Sequence, residues 1–138
     1  MRRISINPRF VNKAGDDLIA GKIHTIRQNY EFWKRFEGRE VALFVWEGKP
    51  YRSKQRVLCV KWIMSVQEVD FRKKAELINY HGVNVTFQFF YKDKAIPFGE
   101  LSLNDGFRGE LGPSEFADWF VNYPSGKMAI LHFTDFRY

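Results

Sequence analysis

Three side chains that could do chemistry together lie within six positions near the start of the chain: Lys22, Thr25 and Arg27. An ammonium beside a hydroxyl, with a guanidinium two residues on, can bind an anion or activate a nucleophile. A lysine acts as a base only where burial or a neighbouring cation lowers its pKa, and the arginine is such a cation. The same spacing also fits a basic strand edge in water, so the surrounding elements must decide the chemistry.

Gly21 precedes this group, and it lies where we expect a helix to end and a strand to begin. Glycine tolerates the positive φ that often closes a helix. Asn7 and Pro8 are typical of a helix start, so the pattern predicts a helix that runs up to the glycine. The apolar residues at helical spacing are Phe10, Val11, Ala14, Leu18 and Ile19.

A strand over residues 23–27 would alternate its side chains between two faces. Lys22 and His24 would then lie on one side, and Thr25 and Arg27 on the other. A loop or bulge at the preceding glycine would bring the ammonium over to the hydroxyl. We therefore expect the backbone just before the strand to decide whether these groups can act together.

The remaining patterns predict a small α+β protein. Short strands are expected over residues 3–6, 23–27, 40–46, 55–69, 83–91 and 127–136. Beyond the helix before residue 21, helices are expected over 29–36 and 113–123, with a short helix or loop over 71–77 and a turn at His81-Gly82. Regular βαβ alternation and internal repeats are absent from the sequence, which favours mostly antiparallel strands closed into a small β-barrel with two or three flanking helices. The length of 138 residues suits a single domain over 1–138.

Composition restricts the partners and the compartment. The formal net charge is +6 and is spread along the chain, so RNA or another polyanion is a more natural partner than a cationic surface. The 14 Phe, 6 Tyr and 4 Trp residues are heavy aromatic use. The start of the chain lacks the apolar run of a signal peptide, and no stretch is long enough to span a bilayer. We expect a cytoplasmic protein without membrane association.

Metal and cofactor chemistry are not expected. Cys59 is the single cysteine, which excludes an internal disulfide and a cysteine-only zinc site. His24, His81 and His132 lack carboxylate or cysteine partners at ligand spacing. Motifs for phosphate loops, dinucleotide binding and serine hydrolases are missing as well.

Two segments resemble a known family. Residues 19–27 (Ile-Ala-Gly-Lys-Ile-His-Thr-Ile-Arg) resemble the signature of ASCH domains, relatives of PUA domains, in which a helix ends in Gly-Lys and enters a barrel strand bearing Thr and Arg. Residues 103–107 (Leu-Asn-Asp-Gly-Phe) and the aromatic segment 115–120 resemble the family's acidic position and the helix after it. The resemblance covers nearly the whole chain, although 51–96 is longer than in small members. It implies a PUA-like β-barrel with a cleft for RNA or a modified nucleoside.

One branch of that family hydrolyses the acetyl amide of N4-acetylcytidine. By position, Thr25 matches its nucleophile, Lys22 its base and Arg27 the arginine that follows. Its acidic residue falls on Asp105, one methylene shorter than the family's Glu, and His24 replaces an apolar residue. In a binding-only alternative, the lysine and arginine hold phosphate, the threonine donates a hydrogen bond and the aspartate caps a loop.

Binding of RNA or a nucleoside is therefore our expected function, with the amidohydrolase as the alternative. The catalytic residues of that alternative would be Lys22, Thr25 and Asp105. The expected ligand-binding residues are Lys22, His24, Thr25, Arg27, Tyr30, Trp33 and Asp105. Tyr30 and Trp33 are included as a stacking platform for a base, although both would also fit a core. A third alternative is an adaptor that binds a protein partner through the aromatic helix 113–123.

Overall fold

A computed structural model describes residues 1–77 and 83–138. The strands are β1 (Arg3–Ser5), β2 (His24–Gln28), β3 (Glu40–Trp46), β4 (Gln55–Trp62), β5 (Ser65–Leu77), β6 (Val83–Tyr91), β7 (Lys94–Ala95) and β8 (Gly126–His132). The helices are α1 (Tyr30–Lys34), α2 (Phe98–Asn104) and α3 (Gly112–Phe120), and a single 3₁₀ turn covers Pro8–Phe10. The α+β class is confirmed.

The strands form two sheets. One has the order β1-β3-β4, in which β1 runs parallel to β3 and β4 antiparallel to it. The other has the order β2-β8-β5-β6-β7, and every neighbouring pair in it is antiparallel. Mostly antiparallel pairing with two or three helices is thus confirmed. Within the described residues no strand pairing joins the two sheets into one closed barrel.

Strand β2 holds the chemical motif at the edge of the larger sheet. It pairs with β8, the last strand, so that Thr25 lies opposite Leu131 and Arg27 opposite Ala129. Ile6 N–H donates to the Phe44 carbonyl at 2.8 Å, which continues the chain after β1 along β3. The motif is therefore fixed by pairing between distant parts of the chain.

An aromatic cluster supports the larger sheet from one side. Phe116 and Phe120 of α3 pack against Phe71 of β5 and Phe87 and Phe89 of β6, with ring centroids 5.6–6.5 Å apart. Aromatic rings bury large apolar areas, and edge-on contacts add to the stabilisation. Much of the heavy aromatic use therefore belongs to the core.

The helix predicted before Gly21 is wrong. Only one 3₁₀ turn forms, followed by a loop closed by an isolated bridge between Val11 and Leu18. The Asn12 side chain accepts hydrogen bonds from the backbone N–H groups of residues 15–17, which a helix would direct to carbonyls. Gly15 has φ +76°, outside the helical region. Local side-chain bonding thus overrides the apolar periodicity.

Two further assignments differ from the prediction. Residues 55–69 are not one bent strand, because β4 ends at Trp62 and β5 begins at Ser65. Residues 71–77 continue β5 instead of forming a helix or loop, since they pair with β6 over their whole length. Helix α2 was not predicted. The turn expected at His81-Gly82 lies outside the described residues.

The described residues contain no helix that is both long and apolar enough to cross a membrane.

Candidate functional site

Lys22, Thr25, Arg27 and Asp105 line one cavity of about 440 Å³, which we call the lysine cavity. This volume falls within the range of small-molecule pockets. Its aromatic walls are Phe10, Trp46, Tyr51, Trp119, Phe120 and Tyr123. The four polar residues, which lie up to 83 positions apart in the sequence, are thus brought together.

The turn before β2 brings the lysine to the threonine side. Gly21 has φ +88°, and Lys22 N–H donates to the Ile19 carbonyl at 3.2 Å, which closes a turn. From His24 onward the backbone is extended, so Thr25 and Arg27 project to the same side of the strand. This turn is therefore the loop or bulge that is needed to bring the Lys22 ammonium to the side of the Thr25 hydroxyl.

A buried ion pair joins the two segments of the site. Lys22 Nζ donates to the Asp105 backbone carbonyl at 2.7 Å and to its carboxylate Oδ1 at 3.1 Å. Both residues are buried, 7% and 4% exposed. Burial lowers the pKa of Lys22, and attraction by the Asp105 carboxylate partly offsets that shift. Lys22 Nζ also lies 4.4 Å from the centre of the Phe10 ring.

Gly106 allows the close approach behind this pair. Its φ is +98°, and a Cβ there would lie 2.9 Å from Phe10 Cδ1 and 3.1 Å from Lys22 Cδ. Real Cβ atoms rarely come this close, so a side chain would push the ring and the lysine stem apart. The Asp-Gly pair that follows α2 is thus a packing requirement of the site as well as a turn.

His24 contacts the same carboxylate oxygen as the lysine. Its Nδ1 lies 3.3 Å from Asp105 Oδ1, and its Nε2 lies 2.7 Å from the Tyr138 hydroxyl. Asn104 Nδ2 donates to the same hydroxyl at 3.1 Å. Because the Asp105 carboxylate can only accept, the imidazole proton resides on Nδ1, and the phenol donates to Nε2. Burial lowers the pKa of His24, which keeps the ring neutral.

A second histidine continues this network below the sheet. His132, opposite His24 in β8, donates from Nε2 to Gln67 Oε1 at 2.7 Å. Gln67 also exchanges hydrogen bonds with the backbone of Tyr138. Among the described residues, the buried Nδ1 of His132 has no hydrogen-bond partner. Burial lowers the pKa of His132 to about 3, and the nearby His24 and Arg137 charges add to the shift.

Arg27 is held at the rim of the lysine cavity without a carboxylate bond. One terminal nitrogen donates to the Ser5 carbonyl at 2.5 Å. Its buried Nε has no hydrogen-bond partner within the described parts of the chain. Burial lowers the pKa of Arg27, and the Asp105 charge partly offsets the shift. Because Arg27 lines the lysine cavity, the guanidinium can bind an anion there.

The other expected ligand residues lie elsewhere. His24 is fully buried behind Asp105 and does not line the lysine cavity. Tyr30 lines a different cavity with Lys34 and Glu37, and Trp33 lines a neighbouring one that shares Arg27. The aromatic walls around the motif are instead contributed by rings outside the expected ligand-binding set, three of which (Trp119, Phe120 and Tyr123) belong to the aromatic segment 113–123.

Trp46, Tyr51 and Tyr138 are the residues that sequence reasoning missed. Trp46 ends a strand that is apolar throughout, and that pattern gives no sign that its ring lines the lysine cavity. Tyr51 lies in a turn, at φ +63°, and no local pattern marks it. Tyr138 reaches the site only through the tertiary contact with His24. Within the described residues, no three His, Cys, Asp or Glu side chains are grouped to hold a metal ion.

Comparisons of the chain with models of protein families, with curated proteins and with solved structures found no match. The ASCH resemblance therefore rests on the two motifs themselves.

Proposed function

We propose that this chain is an ASCH-type domain with a PUA-like β-barrel that binds RNA or a nucleoside in the lysine cavity. The observation that carries the proposal is the convergence of Lys22, Thr25, Arg27 and Asp105 on one cavity with aromatic walls. A nucleotide offers a flat ring, hydrogen-bonding edges and an anionic phosphate. The cavity has a matching group for each of these.

Each part of a nucleotide finds a complementary partner. Base faces stack on aromatic side chains, as Trp46, Tyr51 and Trp119 would allow. The Thr25 hydroxyl can donate and accept at a base edge, and among the described residues none hydrogen-bonds it. The Arg27 guanidinium suits a phosphate. Binding, more than catalysis, also fits the lysine, which is held as an ammonium by two bonds to Asp105.

Replacing the arginine tests the proposal. Arg27→Gln is expected to weaken binding of cytidine 5′-monophosphate about ten- to a hundredfold, the range for loss of a charge-assisted hydrogen bond. Isothermal titration calorimetry measures the change, and circular dichroism checks that the variant is folded. Arg39→Gln removes an exposed charge that does not line the cavity and should bind like the unmodified protein. Equal losses in both variants, or no binding by the unmodified protein, would contradict the proposal.

Hydrolysis of an N-acylated nucleobase is the second candidate function. It is favoured by the lowered pKa of Lys22 and by the position of the Thr25 hydroxyl on the same cavity. Transfer of one proton across the Lys22–Asp105 hydrogen bond would give a neutral amine and a carboxylic acid. These are the forms that a base and an acid need.

The reaction would run in two steps. The Thr25 oxygen attacks the acyl carbon while Lys22 takes its proton, and the C–N bond breaks as Asp105 protonates the departing amine. Water then cleaves the acyl-threonine ester, which releases the carboxylic acid and restores the hydroxyl.

Liquid chromatography of N4-acetylcytidine incubated with the protein tests this candidate. We expect cytidine to appear, and Thr25→Val, which keeps the side-chain shape, should slow its release at least tenfold. Lys13→Gln, an exposed change outside the cavity, should leave the rate unchanged. Equal rates for Thr25→Val and the unmodified protein, or no release at all, would remove the hydrolase from consideration.

A further inference from the structure

A second cavity opens beside the lysine cavity. It measures about 770 Å³ and is lined by Arg2, Arg3 and Arg27 together with aromatic rings, and we call it the arginine groove. The rings are Phe32, Trp33, Phe36, Phe44, Trp46 and Tyr51. Ser5, Arg27, Trp46 and Tyr51 line both spaces, so the two form one continuous surface.

The charge of the groove is uncompensated. None of the described residues that line it is acidic. Arg3 donates to the neutral Gln55 amide at 2.9 Å, Arg27 donates to a backbone carbonyl, and the Arg2 guanidinium lies 4.7 Å from the centre of the Phe32 ring. Within residues 1–77 and 83–138, none of the three guanidinium groups forms an ion pair. Three cations that share one groove without a counter-charge favour an anionic occupant.

The rings of the groove are placed for stacking. Tyr51 is 88% exposed, and its ring centre lies 5.3 Å from that of Trp46. Both rings line both cavities. A large aromatic side chain left in water beside a cationic groove has an unused apolar face. Grooves that hold single-stranded nucleic acid combine these two elements, cations along the backbone track and rings under the bases.

We propose that the ligand is a single-stranded oligonucleotide, with one nucleotide in the lysine cavity and its neighbour in the arginine groove. This inference rests on the proposed nucleotide-binding function. The phosphate between the two nucleotides lies at Arg27, the guanidinium that both spaces share. The next phosphate lies at Arg2 and Arg3, and the neighbouring base stacks beside Trp46 and Tyr51.

An acidic peptide is the competing occupant, because carboxylates also pair with guanidinium groups. The rings favour the nucleotide. Aromatic side chains and arginines alternate along one continuous surface, and a nucleic acid alternates flat bases and phosphates in the same way. A peptide of carboxylates would leave the exposed face of Tyr51 without a partner.

The test compares one nucleotide with five. Pentacytidylate, in RNA and DNA forms, is titrated by fluorescence anisotropy, and cytidine 5′-monophosphate by calorimetry. We expect at least one pentamer to bind tenfold or more tightly than the monophosphate, and the better form identifies the preferred sugar. Arg2→Gln/Arg3→Gln should weaken the pentamer at least tenfold and leave the monophosphate unchanged. It should also reduce the slope of log affinity against log salt by about 0.7, the value for one phosphate contact on a single strand.

Lys13→Gln/Arg39→Gln is the matched control, since it removes two exposed positive charges outside both spaces. Arg2→Gln alone, which keeps the Arg3–Gln55 hydrogen bond, replaces the double variant if the latter melts at a lower temperature. Equal losses in variant and control, or equal competition by pentaglutamate, would overturn the inference. Monophosphate binding without any gain for the pentamers would also overturn it and leave the proposed function standing. Failure of the monophosphate itself would remove both.

Discussion

Asp105→Ala is expected to lower the free energy of unfolding by about 3–5 kcal/mol, the usual cost of removing one partner from a buried ion pair. The loss leaves Lys22 as an ammonium that is 7% exposed with no carboxylate. It also leaves His24 Nδ1 without its acceptor. Urea unfolding at pH 7 measures the change. Asp118→Ala, an exposed aspartate in α3, is the matched control and should alter stability by less than about 0.5 kcal/mol.

The double variant Lys22→Met/Asp105→Ala, compared with the two single variants, measures the interaction between the two side chains. Because it removes both charges, its destabilisation should be smaller than the sum of the two single losses by at least about 1 kcal/mol. Additive losses, or an Asp105→Ala cost similar to that of the control, would mean that the lysine ammonium is not kept in place by this carboxylate. The binding and hydrolytic proposals would both lose their geometric basis.

Acid should destabilise the fold through His132. Its pKa is about 3 in the folded state, against an ordinary value of about 6.5 in the unfolded chain. As the pH falls below 6.5, His132 becomes protonated in the unfolded chain while it stays neutral in the folded protein. This difference in protonation persists down to about pH 3. Between pH 6.5 and 4.5 the expected loss of unfolding free energy from this residue is about 2–3 kcal/mol.

His132→Gln tests the assignment because the longer glutamine amide can replace Nε2 as a donor for Gln67 and does not titrate. Urea midpoints at pH 7 and pH 4.5 give the two stabilities. The decrease between them should be about 2–3 kcal/mol smaller in the variant than in the unmodified protein. Burial lowers the pKa of His24 as well, so the variant should keep part of the acid sensitivity. Parallel decreases in both proteins would show that His132 does not carry the effect.

Local sequence patterns predicted the elements that local forces decide. Strand β3 occurs at its predicted bounds, since a continuous apolar run rich in valine and aromatic residues favours a buried strand. Helix α1 starts after Asn29, whose side chain accepts from the Phe32 N–H, and α3 starts beside its predicted proline. The failures lie where distant contacts prevail. The helix predicted before Gly21 does not form because the Asn12 side chain binds the backbone N–H groups there. Residues 71–77 belong to β5 because they pair with β6.

The residues of the candidate site also fall into two groups, those that local patterns predict and those that distant contacts determine. Lys22, Thr25 and Arg27 follow from spacing and a turn, and the family resemblance pointed to Asp105. Trp46, Tyr51 and Tyr138 did not follow, because nothing in their immediate neighbours tells which cavity a ring will line. The hydrogen bond between Tyr138 and His24 spans 114 positions. Such pairs are set by strand register and packing, which periodicity does not encode.

The distance along the chain between Lys22 and Asp105 has a consequence for the order of events at synthesis. These residues are 83 positions apart, and β2, which carries Thr25, is held to the larger sheet by β8. After Thr25 has left the ribosome, the chain must still be extended past residue 132 before β2 can pair with the whole of β8. Closing so large a loop is entropically costly and slow. The lysine cavity therefore cannot be complete before its last lining residue, Tyr123, has been synthesised.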